Sequence, residues 1–197
     1  MLGGMRAGRD ECVTIVTGVP RSGTSLVMQM LAAGGHPVAS DGVRRADPDN
    51  PRGYFELEAA RRLARDASWL PGIAGRAVKL VHTLVPSLPP DLDFRVLMVR
   101  RRLDEVLASQ RVMLARRGSP PDDAEDARLR PVLEAQLARL ERWLEAREDF
   151  AWLRIDYGEL VADPGPVAAR MNAFLGGGLD EDAMAACVEP ALHRQRC

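Results

Sequence analysis

Apolar and polar positions alternate along this chain in two rhythms, short β-branched runs and longer stretches at helical spacing. Val13, Ile15 and Val16 make a short apolar strand, followed by a Gly/Pro/Ser loop from Gly18 to Gly23. A helix from Ser25 carries Leu26, Val27, Met30 and Leu31 on one face and ends at Gly34-Gly35. His36 to Pro51 has no periodicity and reads as a surface loop, the kind of segment where function tends to sit. Asn50 to Glu56 makes a turn into a helix predicted over Leu57 to Leu70 by its Ala, Leu and Arg content. Ala77 to Val81 is a strand, His82 begins a Pro-rich loop through Pro86, Pro89 and Pro90, and Phe94 to Val99 is a strand whose unbroken apolar stretch suits a central place in a parallel sheet.

The triplet Arg100-Arg101-Arg102 ends that strand. Leu103, Val106, Leu107, Gln110 and Leu114 then share a helical face, with Asp104 and Glu105 in the first turn where the helix dipole favours acids, and Gly118 to Pro121 stops it. A longer helix is predicted from about Ala127 to Arg147, a strand over Ala151 to Ile155, a helix capped by Asp163-Pro164 and ending at Gly176 to Gly178, and a last short helix over Asp180 to Val188. Strands alternating with helices predict an α/β domain with a central parallel sheet and right-handed crossovers. Ligands of such sheets sit beyond the carboxyl ends of the strands, where the Gly18–Gly23 loop and the Arg triplet both fall.

Length and composition narrow the possibilities. A chain of 197 residues with 46% apolar content suits one domain, expected over 12–197, behind a Gly/Arg-rich tail at 1–11. A net charge of -1 gives no global reason to bind nucleic acid or an anionic membrane, and 5% aromatic residues argue against base-stacking platforms. Met1 to Cys12 has no apolar signal region, and no run approaches the roughly 18 apolar residues of a membrane span, so a soluble, cytoplasmic protein is expected. Cys12, Cys187 and Cys197 are too few and too widely spaced for a disulfide framework or a zinc site, and Cys12 is expected to pack at the start of the first strand. Among 27 basic residues Lys79 is the sole lysine, which gives it more meaning than any one arginine.

A strand, a glycine-containing loop and a helix N-terminus together make a cradle for phosphate or sulfate. A nucleotide-triphosphate loop reads G-x-x-x-x-G-K-[ST]; Gly18 to Ser25 keeps both glycines and the last hydroxyl but has Thr24 in place of the lysine, with the cation displaced to Arg21. Pro20-Arg21-Ser22-Gly23-Thr24-Ser25 resembles the 5′-phosphosulfate loop of PAPS-dependent sulfotransferases, [GY]-x-P-[KR]-S-G-T-[ST], at every defined position. Asn50-Pro51-Arg52-Gly53-Tyr54-Phe55-Glu56 is similar to a segment of bacterial members, and RRLDEVLAS resembles the family's R-D-P-R-D-V-x-x-S.

The resemblance implies a P-loop NTPase-like three-layer α/β/α domain and a sulfotransferase that takes PAPS as donor, leaves PAP and needs no metal. It implies that Pro20, Arg21, Ser22, Gly23, Thr24 and Ser25 hold the 5′-phosphosulfate and that Arg101 with Ser109 holds the 3′-phosphate, Arg100 and Arg102 being alternatives to Arg101. Arg194, in a C-terminal segment like that of bacterial members, is a further candidate for that phosphate. Sulfuryl transfer wants a cation on the leaving phosphate oxygen and a base for the acceptor's proton. Arg21 and Lys79 are the candidate cations; Glu56, His82 and Asp41 are the candidate bases, in that order. The implied acceptor is a small hydroxylated molecule or carbohydrate, or an amine, and the oligomeric state is left open, a homodimer included. Two other functions fit a loop of this kind: a Mg²⁺-dependent kinase or NTPase, for which Asp156 is the one acidic residue closing an apolar strand, and a non-catalytic nucleotide-binding protein of the same fold.

Overall fold

Residues 12–189, apart from 45, 48–49, 51–52 and 119–122, are described by a computed structural model. Four strands, β1 (Val13–Gly18), β2 (Ala77–Val81), β3 (Phe94–Arg100) and β4 (Phe150–Asp156), form one parallel sheet in the order β2-β1-β3-β4. Ile15 pairs with Val78 on one side and Val96 on the other, and Leu97 pairs with Leu153. Every residue of β1 is buried, as are the first six of β3. That is why both read as unbroken apolar runs: each is an inner strand covered on both faces.

The helices are α1 (Thr24–Ala33), α2 (Leu103–Arg116), α3 (Asp123–Glu145), α4 (Tyr157–Ala162), α5 (Pro164–Phe174) and α6 (Glu181–Ala186). They cover the sheet in two layers with separate cores. Ile15, Val78, Val96 and Met98 pack with Val106 and Leu107 of α2 and Leu133, Leu137, Leu140 and Leu144 of α3. Val16, Leu97, Val99 and Ile155 pack with Val27, Met30 and Leu31 of α1, Leu160 of α4 and Met171 of α5. The parallel-sheet α/β fold expected from the alternation is therefore observed, with the three layers that the resemblance implies. From β1 the chain crosses to β2 at one edge, and from β3 to β4 at the other, so the connections diverge between β1 and β3. Such a divergence leaves a crevice at the carboxyl ends of the two strands.

Several element boundaries differ from expectation. Leu57 to Leu70 is not one helix; 3₁₀ turns occupy Glu58–Arg62 and Leu70–Ile73. Between them the Asp66 carboxylate accepts from the backbone N–H of Ser68 at 3.0 Å and from its hydroxyl at 2.6 Å, a local bond that competes with helical hydrogen bonding. Another 3₁₀ turn, His82–Ser87, lies inside the Pro-rich loop. α3 begins about one turn earlier than its apolar periodicity suggests, because its first turn is polar and acidic, with Glu125 and Asp126 placed favourably for the dipole. Asp163 stands at the N-cap of α5 without a side-chain capping bond, and Pro164 alone sets that start. α4 was not expected; Asp156 caps it by accepting from Glu159 N–H at 3.1 Å. Cys12 is buried at the foot of β1, as expected. No helix among the described residues is long and apolar enough to cross a membrane. The 1–11 tail, Pro51, Arg52, the Ser119 to Pro121 stop and Arg194 lie outside the described residues.

Candidate active site

Two left-handed residues shape the loop after β1. Arg21 has φ 71° and Gly23 φ 105°, and Gly23 is the N-cap of α1. The first turn of a helix has N–H groups without carbonyl partners and carries the positive end of the dipole. No acidic side chain occupies that turn in α1, so it is electrostatically open to an oxyanion. Ser22 is turned inward: its side chain is fully buried, its N–H donates to Val19 O at 3.1 Å, and its Oγ has no partner among the described residues.

A cleft of about 550 Å³ opens on the loop and is lined by Pro20, Arg21, Gly23, Thr24 and Ser25. Glu56, Lys79, Arg101 and Ser109 line the same cleft, so residues far apart in the chain converge at the divergence of the crossovers. On the β3 side, Arg21 Nε donates to Ser109 Oγ at 3.0 Å, and Arg101 Nη1 donates to the backbone carbonyl of Arg21 at 3.2 Å. Arg101 is itself held by Glu105, at 2.9 Å in the first turn of α2, and its guanidinium carbon lies 4.3 Å from the centre of the Tyr157 ring. Its neighbours in the triplet turn away: Arg100 meets Glu141 at 3.4 Å, and Arg102 is exposed beside Asp104. An arginine with its fork fixed in this way is preorganised for a phosphate.

On the β2 side, Lys79 donates to Ser25 Oγ at 3.3 Å and to the carbonyl of Tyr54, and lies 3.6 Å from Glu56. Burial pushes its pKa down from 10.5 to about 8, with Glu56 opposing the shift. Burial raises Glu56, but the charges of Lys79, Arg61 and Arg44 outweigh it, so its carboxyl lies below the ordinary value. Arg44 meets Glu56 at 2.8 Å and Arg61 meets it at 3.0 Å. The guanidinium carbon of Arg44 also lies over the Tyr54 ring, 3.3 Å from its centre. This corner thus holds an ionised carboxylate among three cations beside the anion loop.

His82 and Asp41 are placed elsewhere. His82 is buried and bonds Gln136 Oε1 of α3 at 2.8 Å through Nε2, and it does not line the cleft. Asp41 is exposed and accepts from the N–H groups of Val43 and Glu58, which lower its pKa, and it too lies outside the cleft lining.

Over 95% of its length the chain superposes on 87% of a sulfotransferase domain from the Synechococcus PCC 7002 olefin synthase, with a TM-score of 0.57 and 16% identity. A sulfotransferase domain from the curacin biosynthetic pathway matches 94% of this chain over 92% of its own, with a TM-score of 0.57 and 13% identity. A sulfotransferase from Alicyclobacillus acidocaldarius covers 86% of this chain with 81% of its own, at a TM-score of 0.53 and 18% identity. The chain shares the fold of these sulfotransferase domains. The sequence matches no protein-family model and no curated protein.

Sequence reasoning missed Arg44, Arg61 and Tyr157 of the cleft. Arg44 and Arg61 carry no signal in an arginine-rich chain, since nothing in an aperiodic loop ranks one arginine above another. Tyr157 follows the end of β4, and its role depends on Gly23 and Arg101 arriving from other elements. Its ring packs so closely on Gly23 that a Cβ there would come within 2.4 Å of it.

Proposed function

We propose that this protein is a sulfotransferase that uses PAPS as donor and a small-molecule hydroxyl as acceptor. The observation that carries the proposal is the cleft itself: a phosphate-type loop has Thr24 in the lysine position, while Arg21, Lys79 and Arg101 supply cations from three separate elements. In this reading the Gly23 to Ser25 turn and Arg21 hold the 5′-phosphosulfate, and Arg101 with Ser109 holds the 3′-phosphate. The buried, partnerless Ser22 Oγ and the two close-packed glycines, Gly18 and Gly23, suit a backbone cradle in which added side chains have no room.

The reaction moves a trigonal SO₃ group in line. The bond from sulfur to the phosphate oxygen breaks, the acceptor oxygen bonds to sulfur, and PAP leaves with the bridging electron pair. Arg21 and Lys79 stabilise charge developing on that leaving oxygen. Glu56 takes the acceptor's proton; it is the one carboxylate among the candidate bases that lines the cleft beside Lys79. A kinase or NTPase would draw on Asp156, which instead caps α4 at the end of the edge strand β4.

Without Mg²⁺, PAP at about a hundred times its Kd is expected to raise the Tm by roughly 5–10 °C, about 2.7 kcal/mol of linkage in a domain of this size. Stabilisation by Mg²⁺–ATP and not by PAP overturns the proposal. Labelled sulfate from PAPS should also reach a small-molecule acceptor, which separates an enzyme from a binding protein. Arg101→Ala is expected to cost PAP about tenfold more affinity than it costs adenosine 5′-phosphate, which lacks the 3′-phosphate, when both are measured by calorimetry. Equal losses would remove Arg101 from the 3′-phosphate.

A further inference from the structure

The chemistry assigned so far uses the polar half of the cleft, yet much of its remaining lining is aliphatic. Among the described residues four large aliphatic side chains are strongly exposed, and two of them, Val81 at 46% and Val112 at 36%, line this cleft. They do not stand alone. Leu57, Ala60 and Leu84 line it beside Val81, and Met113 lines it beside Val112. Apolar surface gathered in a concavity and left to water marks a ligand site rather than ordinary surface.

Position says which part of a ligand would lie there. Leu57 directly follows Glu56, and Val81 is two residues beyond Lys79, hence on the same side of β2. Val112 and Met113 lie one turn beyond Ser109 on α2 and so continue its face. The donor, in the proposed reading, spans from the loop after β1 to Arg101 at the end of β3. β2 lies on the other side of β1, so its carboxyl end is left to the acceptor. A nucleoside has a different apolar wall available, Leu26 of α1 with Tyr157 and Val161 of α4.

From this we infer that the acceptor is an alcohol on an aliphatic or aryl-aliphatic skeleton, not a sugar, with its hydroxyl at Glu56 and Lys79 and its carbon body against Leu57, Ala60, Val81, Leu84, Val112 and Met113. Those six side chains carry no hydrogen-bonding group, so a sugar ring placed on them would lose water from its hydroxyls without replacement. An alkyl or phenylalkyl chain loses nothing of the kind and gains burial. The inference rests on the proposed sulfotransferase reading and narrows its acceptor.

The test uses the intact protein, PAPS with labelled sulfate, and three acceptors: 1-octanol, 3-phenylpropanol and glucose. Transfer is expected to both alcohols, with glucose at least a hundredfold poorer in kcat/KM. Val81→Asp, at a half-exposed position that tolerates a charge, is expected to raise KM for 3-phenylpropanol at least tenfold while the Kd for PAP stays within twofold. Transfer to glucose but to neither alcohol overturns the inference, as does a Val81→Asp variant whose KM for the alcohol is unchanged. Absence of transfer to either alcohol from a protein that binds PAP overturns it as well and leaves the donor assignment standing. Failure of the sulfotransferase reading itself has a different signature, the absence of PAP binding.

Discussion

Lys79→Ala is expected to lower kcat for the proposed sulfuryl transfer by about 10²- to 10³-fold, the scale seen when a single preorganised group aimed at developing charge is removed. The ammonium sits between the Ser25 hydroxyl, the Tyr54 carbonyl and Glu56 with a side chain only 13% exposed, so no water-borne cation replaces it. Its pH behaviour makes the assignment testable without a large series of variants. Because burial brings the pKa down to about 8, the charged form is present below that pH and is lost as pH rises through it. The kcat/KM profile, which reports groups of the free protein, should therefore fall on the alkaline side with a midpoint near 8, and Lys79→Arg should push that fall to higher pH. A profile that is flat or rising from pH 7 to 9 would remove Lys79 from catalysis.

Stability should move in the opposite sense. An unfolded Lys79 titrates near its ordinary 10.5 and the folded one near 8, so between these values the unfolded chain binds the extra proton and stability rises with pH. Lys79→Met removes that rise and is expected to raise the Tm at pH 7, a gain in stability at the expense of function. Thermal melts of both proteins from pH 7 to 10 read this directly.

Gly23→Ala is expected to weaken PAP binding by at least 10²-fold and to lower stability by about 2–4 kcal/mol. Two independent causes add. The residue sits at φ 105°, where a Cβ is strained, and that Cβ would lie 2.4 and 2.7 Å from Cδ2 and Cε2 of Tyr157. The ring has little freedom to yield, because Arg101 stacks on it. Tyr157→Ala removes the clash and keeps the backbone strain but costs buried packing of its own, so in a double-mutant cycle the Gly23→Ala/Tyr157→Ala pair should cost less than the sum of the two single changes. Urea melts read the cycle; strict additivity would mean that the ring does not oppose the methyl group.

What was legible in the chain follows from how local each signal is. β1 and β3 were legible because strands buried on both faces must be continuously apolar, and the loop between β1 and α1 because its glycines and hydroxyls mean something only together. The Leu57 to Leu70 segment was misread because composition favoured a helix while the Asp66 carboxylate, accepting from both the N–H and the hydroxyl of Ser68, competes with helical bonding there. In the site, Arg21, Ser25, Lys79, Arg101 and Ser109 carried signals in spacing or rarity and share one cleft. Arg44 and Tyr157 matter through what other elements bring to them, and spacing along one chain does not encode that. Sequence ranked Glu56, His82 and Asp41 without deciding among them; the chain before β2 brings Glu56 beside Lys79, and the path after β2 sends His82 toward α3.

Arg21 is tied to its surroundings twice, its side chain giving a hydrogen bond to Ser109 and its carbonyl receiving one from Arg101. Under the proposed reading, a donor whose 3′-phosphate drew Arg101 towards itself would also pull on the backbone of the loop holding its 5′-phosphosulfate, and the two contacts would be coupled by equal factors in both directions. In that reading the cleft measures the separation of two phosphates as a caliper registers length.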